Sequence, residues 1–473
     1  MIFNSLPFVI FLVLVFALHW MPLTRDGRHQ NTVLLLASYV FYGWWDPRFL
    51  VLILFSSLVD YFLALRIGAT ADPRMRHTWL MLSVAANLGL LFFFKYFNFF
   101  VSSFKLAFGL PEVPSTLDII LPVGISFYTF QTMSYTIDVY HRRMEPTRDL
   151  PRFLTFVAFF PQLVAGPIER ARALLPQFGR PRTFDHDTAV AGCRLILLGA
   201  FKKIVVADRI APITDGIFAT PGAQAGWIAF LGLALFFIQV YGDFSGYSDI
   251  AIGTARLFSI GLMLNFDRPF FSTSLKEFWG RWHISLMTWF RDYLYIPLGG
   301  GRVSRWKAHR NVFLTFLLSG LWHGAHWNFV IWGGLHGVLV ITEQRMRLAD
   351  ARWPGWLKWP LIFIPFTLTM VFFRSPTLEH ALFYLQGLFT RAADGEMLFS
   401  LLRRNEISLF AFGITMLMIA MLLLLERASF SSRITNSFRG STWMRRMGYA
   451  TMILLIGLFG VFTDPRAFVY FQF

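Results

Sequence analysis

Apolar runs recur along this chain, many of them long enough to cross the hydrocarbon core of a bilayer, and they constrain its fold more than any motif does. A helix needs roughly 20 apolar residues to span that core, and in lipid only helices and closed barrels satisfy every backbone polar group. Residues 2–20, 32–45, 49–65 and 79–97 already make four such runs, joined by short polar loops. Only 15% of residues are charged and 56% are hydrophobic, well below the charged share of about a quarter usual in soluble domains. The pattern predicts an all-α, polytopic integral membrane protein with roughly ten to twelve spans plus re-entrant elements. It is read as a single domain, with N-terminal helices over 1–120, a core over 121–341 and C-terminal helices over 342–473.

The formal net charge of +16 does not argue for nucleic acid. Lys and Arg are scattered through loops rather than gathered on one amphipathic face, which is the signature of the positive-inside rule. Basic loops near residues 25 and 70 read as cytoplasmic, with the N-terminus outside. Residues 2–20 lack a basic leader and a small-residue cleavage site, so they read as a retained first helix. The one cysteine, Cys193, permits no intrachain disulfide and, in an apolar run, reads as packing rather than as an acyl thioester.

Further along, residues 119–139 carry Ser126, Gln131, Ser134 and Asp138, so this segment is expected to face protein. The apolar run 153–167 contains Pro161 and has arginines on both sides, which predicts a re-entrant element. Residues 190–206 cross outward past Lys202 and Lys203 to a loop at 211–226, and 227–241 returns. The Gly- and Ser-rich run 242–253 holds Asp243 and Asp249 and reads as a polar helix break or as a cavity wall. Residues 267–310, 342–358 and 427–446 are basic and cytoplasmic; 464–473 lie outside.

Residues 317–340 hold His323, His326 and His336 among apolar, aromatic and Gly residues. Their flanks lie on one side by charge, so the stretch is expected to enter and return, with its apex at 322–328 and His323 at the end of a cavity. An ionisable group at membrane depth is a functional candidate. Burial there keeps an imidazole neutral and able to take a proton from a hydroxyl, which suits general-base catalysis of acyl transfer. The plain alternative for each histidine is a hydrogen-bonded core residue. His323, His326 and His336 could also supply a metal, but no carboxylate accompanies them, so neither a metal nor a bound cofactor is expected. No nucleophile motif is present, which leaves the acceptor substrate as the source of the proton.

The stretch RWHISLMTWFRDYLYIPLGG at 281–300 followed by LWHGAHWNFVIWGGLHG at 321–337 resembles the bacterial membrane-bound O-acyltransferases of the alginate O-acetylase type. Residues 122–142, LVAGPIER at 163–170, FKKIVVAD at 201–208, YGDFSGYSDIAIG at 241–253 and the terminal FVYFQF extend the likeness over essentially the whole chain. The resemblance implies a ring of helices around a thin central partition, with a cytoplasmic funnel for an acyl donor. It implies His323 as the catalytic base and His283 as a second residue tied to activity, and it gives His326 and His336 no catalytic part.

Lys276, Arg281 and Arg291 would attract an anionic donor such as acetyl-CoA or an acyl-carrier thioester, with plain positive-inside topology as the simpler reading of the same residues. The expected function is acetyl transfer in the bacterial inner membrane, from a cytoplasmic thioester toward a hydroxyl of an exported polysaccharide such as alginate. A periplasmic acetyltransferase partner and a polysaccharide assembly complex are implied. D-alanyl transfer or a peptidoglycan acceptor is the same-class alternative, and a non-catalytic polysaccharide export subunit is the alternative of another class.

Overall fold

A computed structural model describes residues 1–21, 26–110, 117, 119–164, 166–348, 352–391, 395–427, 442–462, 466, 468 and 469. Arg25, Asp118, Arg433, Arg439, the side chain of Arg445 and most of 464–473 lie outside the described residues. The described residues are overwhelmingly helical, and the helices Phe49–Ala69, Pro73–Ala107, Gly226–Leu257, Gly355–Arg374 and Leu409–Arg427 are long and apolar enough to cross a membrane. Leu6–Trp20 and Arg446–Phe459 are shorter apolar helices. The chain is a multi-pass membrane protein, as its composition requires.

Two compact units make up the chain, residues 1–193 with 251–263, and residues 194–250 with 264–473. In the first, the helix Ile125–Tyr140 is buried along nearly its whole length, in keeping with the polar residues it carries. Asp60 is a buried carboxylate on Phe49–Ala69. It accepts from Ser83 Oγ at 2.6 Å and from Asn87 Nδ2 at 2.8 and 2.9 Å, while Thr132 Oγ1 donates to Asn87 Oδ1 at 3.2 Å. Side-chain hydrogen bonds thus join three helices where lipid offers no partner. The run 153–167 folds as Leu150–Ala158 and Phe160–Leu163, broken at Phe159. Gln131 and Gln162 both donate to the Phe156 carbonyl, at 2.8 and 2.9 Å, and Ser38 Oγ accepts from the Phe160 N–H at 3.0 Å. Irregular backbone is tolerated here because side chains replace the missing helical partners.

Two expectations fail along residues 208–257. The run 242–253 does not break: it lies inside the continuous helix Gly226–Leu257. Its acids are neutralised across the helix interface, and its glycines let backbones touch. A Cβ on Gly246 would lie 2.7 Å from the Gly199 carbonyl, and one on Gly199 would lie 2.5 Å from that of Gly246. The supposed loop at 211–226 also begins as helix, because Asp208–Phe218 continues the preceding segment. In the first unit Cys193 is exposed rather than packed inside.

Candidate active site

The central stretch folds as a tight helical hairpin, Arg305–His323 and Trp327–Met346, with its turn at residues 324–326. Close approach needs glycine: a Cβ on Gly320 would meet the Phe329 carbonyl oxygen at 2.2 Å, and one on Gly333 would meet that of Phe316 at 2.4 Å. His326 caps the returning helix, its Nδ1 accepting from the Asn328 N–H at 3.2 Å. His336 is buried against Trp279 and Trp332, with Nε2 3.0 Å from Thr369 Oγ1. Since the Thr369 hydroxyl donates to the Phe366 carbonyl at 2.7 Å, it accepts from His336, which therefore carries its proton on Nε2.

His323 closes the first helix of the hairpin and is 5% exposed. Aromatic rings wall it: Trp322 and Trp332 each have centroids 5.2 Å away, and Phe373 lies at 5.6 Å. His283 faces the same space, 6.3 Å from His323 between ring centroids. It sits between the short helices Leu275–Arg281 and Ile284–Phe290, in the left-handed region with φ 46° and ψ 50°. The first of these helices is pinned to the hairpin by Glu343, whose carboxylate accepts from the Leu275 and Lys276 N–H groups at 2.6 and 3.2 Å. A carboxylate at a helix N-terminus is favourable, because unpaired N–H groups collect there. The fold thus brings together the two histidines that the sequence singles out, 40 residues apart in the chain.

The basic residues are arranged differently. Arg281 pairs with Glu277 at 2.7 Å, Arg291 pairs with Asp292 at 2.8 Å, and Lys276 is exposed. Beside their elements, Thr273, Leu275, Leu339, Glu343, Lys358 and Ile362 help to line a cavity of about 180 Å³. A smaller polar cavity of about 20 Å³ is lined by Lys203, Asp208, Asp215, Asp243, Arg374 and Arg466 among others. His323 and His283 line neither of these two.

Sequence reasoning did not find the partners of Lys202 and Lys203. The wide-turn segment Phe201–Ala207 is π-helical and carries both lysines into the interior, a helix form often found near functional sites. Lys202 pairs with Asp249 at 3.0 Å and Glu426 at 2.8 Å; Lys203 pairs with Asp208 at 2.9 Å and Asp243 at 2.7 Å. The next residue, Phe244, packs edge-on against the His283 ring at 4.6 Å. Two adjacent lysines inside an apolar run were the available signal.

Comparison with known proteins agrees with this architecture. The family model of the membrane-bound O-acyltransferases matches residues 146–378, the span that holds both histidines. The probable alginate O-acetylase of Azotobacter vinelandii is 43% identical over 387 residues, covering 80% of this chain and 76% of that protein. The chain belongs to the membrane-bound O-acyltransferase family. Within the family, the peptidoglycan O-acetyltransferase of Helicobacter pylori is 37% identical, covering 75% of this chain and 73% of the relative. The teichoic acid D-alanyltransferase of Bacillus subtilis is 30% identical over 50% of this chain and 61% of its own length. The protein is therefore an O-acyltransferase, which removes the non-catalytic export reading.

Proposed function

We propose that this O-acyltransferase moves an acetyl group from a cytoplasmic thioester, acetyl-CoA or an acyl-carrier thioester, toward a hydroxyl of an exported polysaccharide of the alginate type. The transfer takes place in the bacterial inner membrane, either directly or through a periplasmic acetyltransferase partner. The observation that carries this reading is the meeting of His323 and His283 inside a wall of aromatic rings, in a chain 43% identical over most of its length to a probable alginate O-acetylase.

The chemistry is general-base acyl transfer. As the acceptor oxygen attacks the thioester carbonyl, His323 takes its proton. The new C–O bond forms, the C–S bond breaks, and the imidazolium returns the proton to the departing thiolate. Such a base contributes roughly a hundredfold to ten-thousandfold. The oxyanion that develops needs a preorganised donor in a dry site. Trp332 supplies one: its indole N–H is buried without an acceptor among the described residues, and its ring lies 5.2 Å from His323. Lys276, which is exposed, would draw in the anionic donor, with Arg281 and Arg291 contributing from within their pairs with Glu277 and Asp292.

The test is polysaccharide acetylation in cells carrying His323→Ala at matched protein level. The reading expects acetylation to be lost while export continues. Acetylation at the wild-type level would remove His323 from the mechanism. Loss of D-alanylation instead would keep the enzyme class but change the acyl group.

A further inference from the structure

Asn265 is fully buried and belongs to none of the functional roles assigned above, yet the hydrogen bonds that hold His283 converge on it. Its amide orientation is fixed from two sides. Oδ1 accepts from the Ser285 N–H at 3.3 Å and from Ser285 Oγ at 2.9 Å, while Nδ2 donates to Ser248 Oγ at 3.1 Å. Exchanging the amide oxygen and nitrogen would set an NH₂ group against a backbone N–H, donor against donor. The atom that meets His283 Nδ1 at 3.1 Å is therefore an acceptor. Nδ1 must carry the proton, and in a neutral imidazole that leaves the lone pair on Nε2, at the far edge of the ring.

We propose that Asn265 is a positioning residue that holds His283 as its Nδ1–H tautomer and so presents Nε2 as a proton acceptor beside His323. This rests on the reading in which His283 serves acyl transfer. The backbone supports the same arrangement. The Ile284 N–H donates to the Asn265 carbonyl at 2.9 Å, directly after the left-handed His283. A non-Gly residue in that conformation persists only when its surroundings over-determine it, and such residues cluster at functional sites. The rings of Phe244, Phe266, Trp322 and His323 that face His283 carry no fixed charge. The Asn265 carboxamide oxygen at 3.1 Å from Nδ1 is the group that selects the tautomer. Ser248, which orients that amide, lies on the Gly- and Ser-rich run of the helix Gly226–Leu257, so that motif reaches His283 through Asn265.

The experiment compares wild type, Asn265→Leu, Asn265→Asp and His283→Ala in the full chain. Acetyl transfer is followed in inverted membrane vesicles supplied with acetyl-CoA, alongside ¹⁵N NMR of histidine-labelled protein in which the His283 signal is identified by its loss in His283→Ala. In wild type the His283 signal should be that of protonated Nδ1 and bare Nε2. Asn265→Leu should lose that signature and slow transfer by about a hundredfold or more, since a wrong tautomer is costly to an imidazole base. Asn265→Asp keeps the acceptor and should restore most of the rate, with the acid limb of the pH profile moved to higher pH because a carboxylate favours the imidazolium. A wild-type His283 signal with the proton on Nε2 would overturn the inference, whether or not the Leu variant folds. So would full activity of Asn265→Leu beside an inactive His283→Ala, which leaves the role of His283 standing. A fully active His283→Ala would instead sink the reading on which the inference rests.

Discussion

At the scale of single residues, the groups around His323 matter as much as the imidazole. Trp332 packs against both His323 and His336, at 5.2 and 4.6 Å between centroids, and the proposed mechanism gives its N–H the oxyanion. Trp332→Phe keeps most of the ring and removes the donor. We expect acetyl transfer to fall by about a hundredfold at normal protein yield, the usual scale for one oxyanion donor; an unchanged rate would leave Trp332 as packing alone. A second residue reports on stability. Glu169 is 2% exposed and accepts from the Met263 N–H at 2.6 Å. Burial raises its carboxyl from 4.5 to about 7. A group raised on folding contributes stability that is complete below its unfolded value and is lost as pH rises through the folded one. The protein should therefore melt higher in detergent at pH 5 than at pH 8, by a linkage on the order of 3 kcal/mol. Glu169→Gln, which keeps an acceptor for Met263 and cannot ionise, should flatten that difference; a variant as pH-sensitive as wild type would assign the effect elsewhere.

At the scale of elements, charge pairing decides which segments can be helix inside the bilayer. Lys203 neutralises Asp208 and Asp243 from one buried position. Lys203→Met leaves two buried carboxylates without their cation, which costs roughly 3–5 kcal/mol. We expect a large fall in monodisperse protein, and partial recovery when Asp208→Asn and Asp243→Asn are added. Failure of the triple variant to gain anything would mean the pairing is not what holds this segment. The same pairing explains a misreading. Residues 242–253 look like a helix break because Gly, Ser and Asp disfavour helix locally, but the lysines that pair with Asp243 and Asp249 sit some forty residues away in sequence and no spacing rule joins them. The hairpin was more legible. Basic flanks on one side placed its apex at 322–328, where the turn at 324–326 lies, and Gly320 and Gly333 let its helices touch; the two helices, of 19 and 20 residues, are each about as long as a full crossing needs. Gly320→Leu should abolish the fold of the hairpin, seen as loss of extractable protein, because even a Cβ would sit 2.2 Å from the Phe329 carbonyl oxygen.

For the molecule as a whole, apolar runs alone give the class and most of the long helices, since the bilayer leaves the backbone few alternatives. The spans read at 49–65 and 79–97 reappear within Phe49–Ala69 and Pro73–Ala107, each longer than its apolar stretch. The two histidines stood out by residue type and resemblance, but their meeting depends on Glu343 and Asn265, whose parts emerge only in three dimensions. The central claim is that the imidazole of His323 takes the proton of an acceptor hydroxyl. The most direct test is the acetyl content of exported polysaccharide in cells expressing wild type, His323→Ala or His323→Gln at equal membrane abundance. The account predicts polymer exported in normal amount with its acetylation lost in both variants; polymer acetylated to the wild-type level by either one would contradict it.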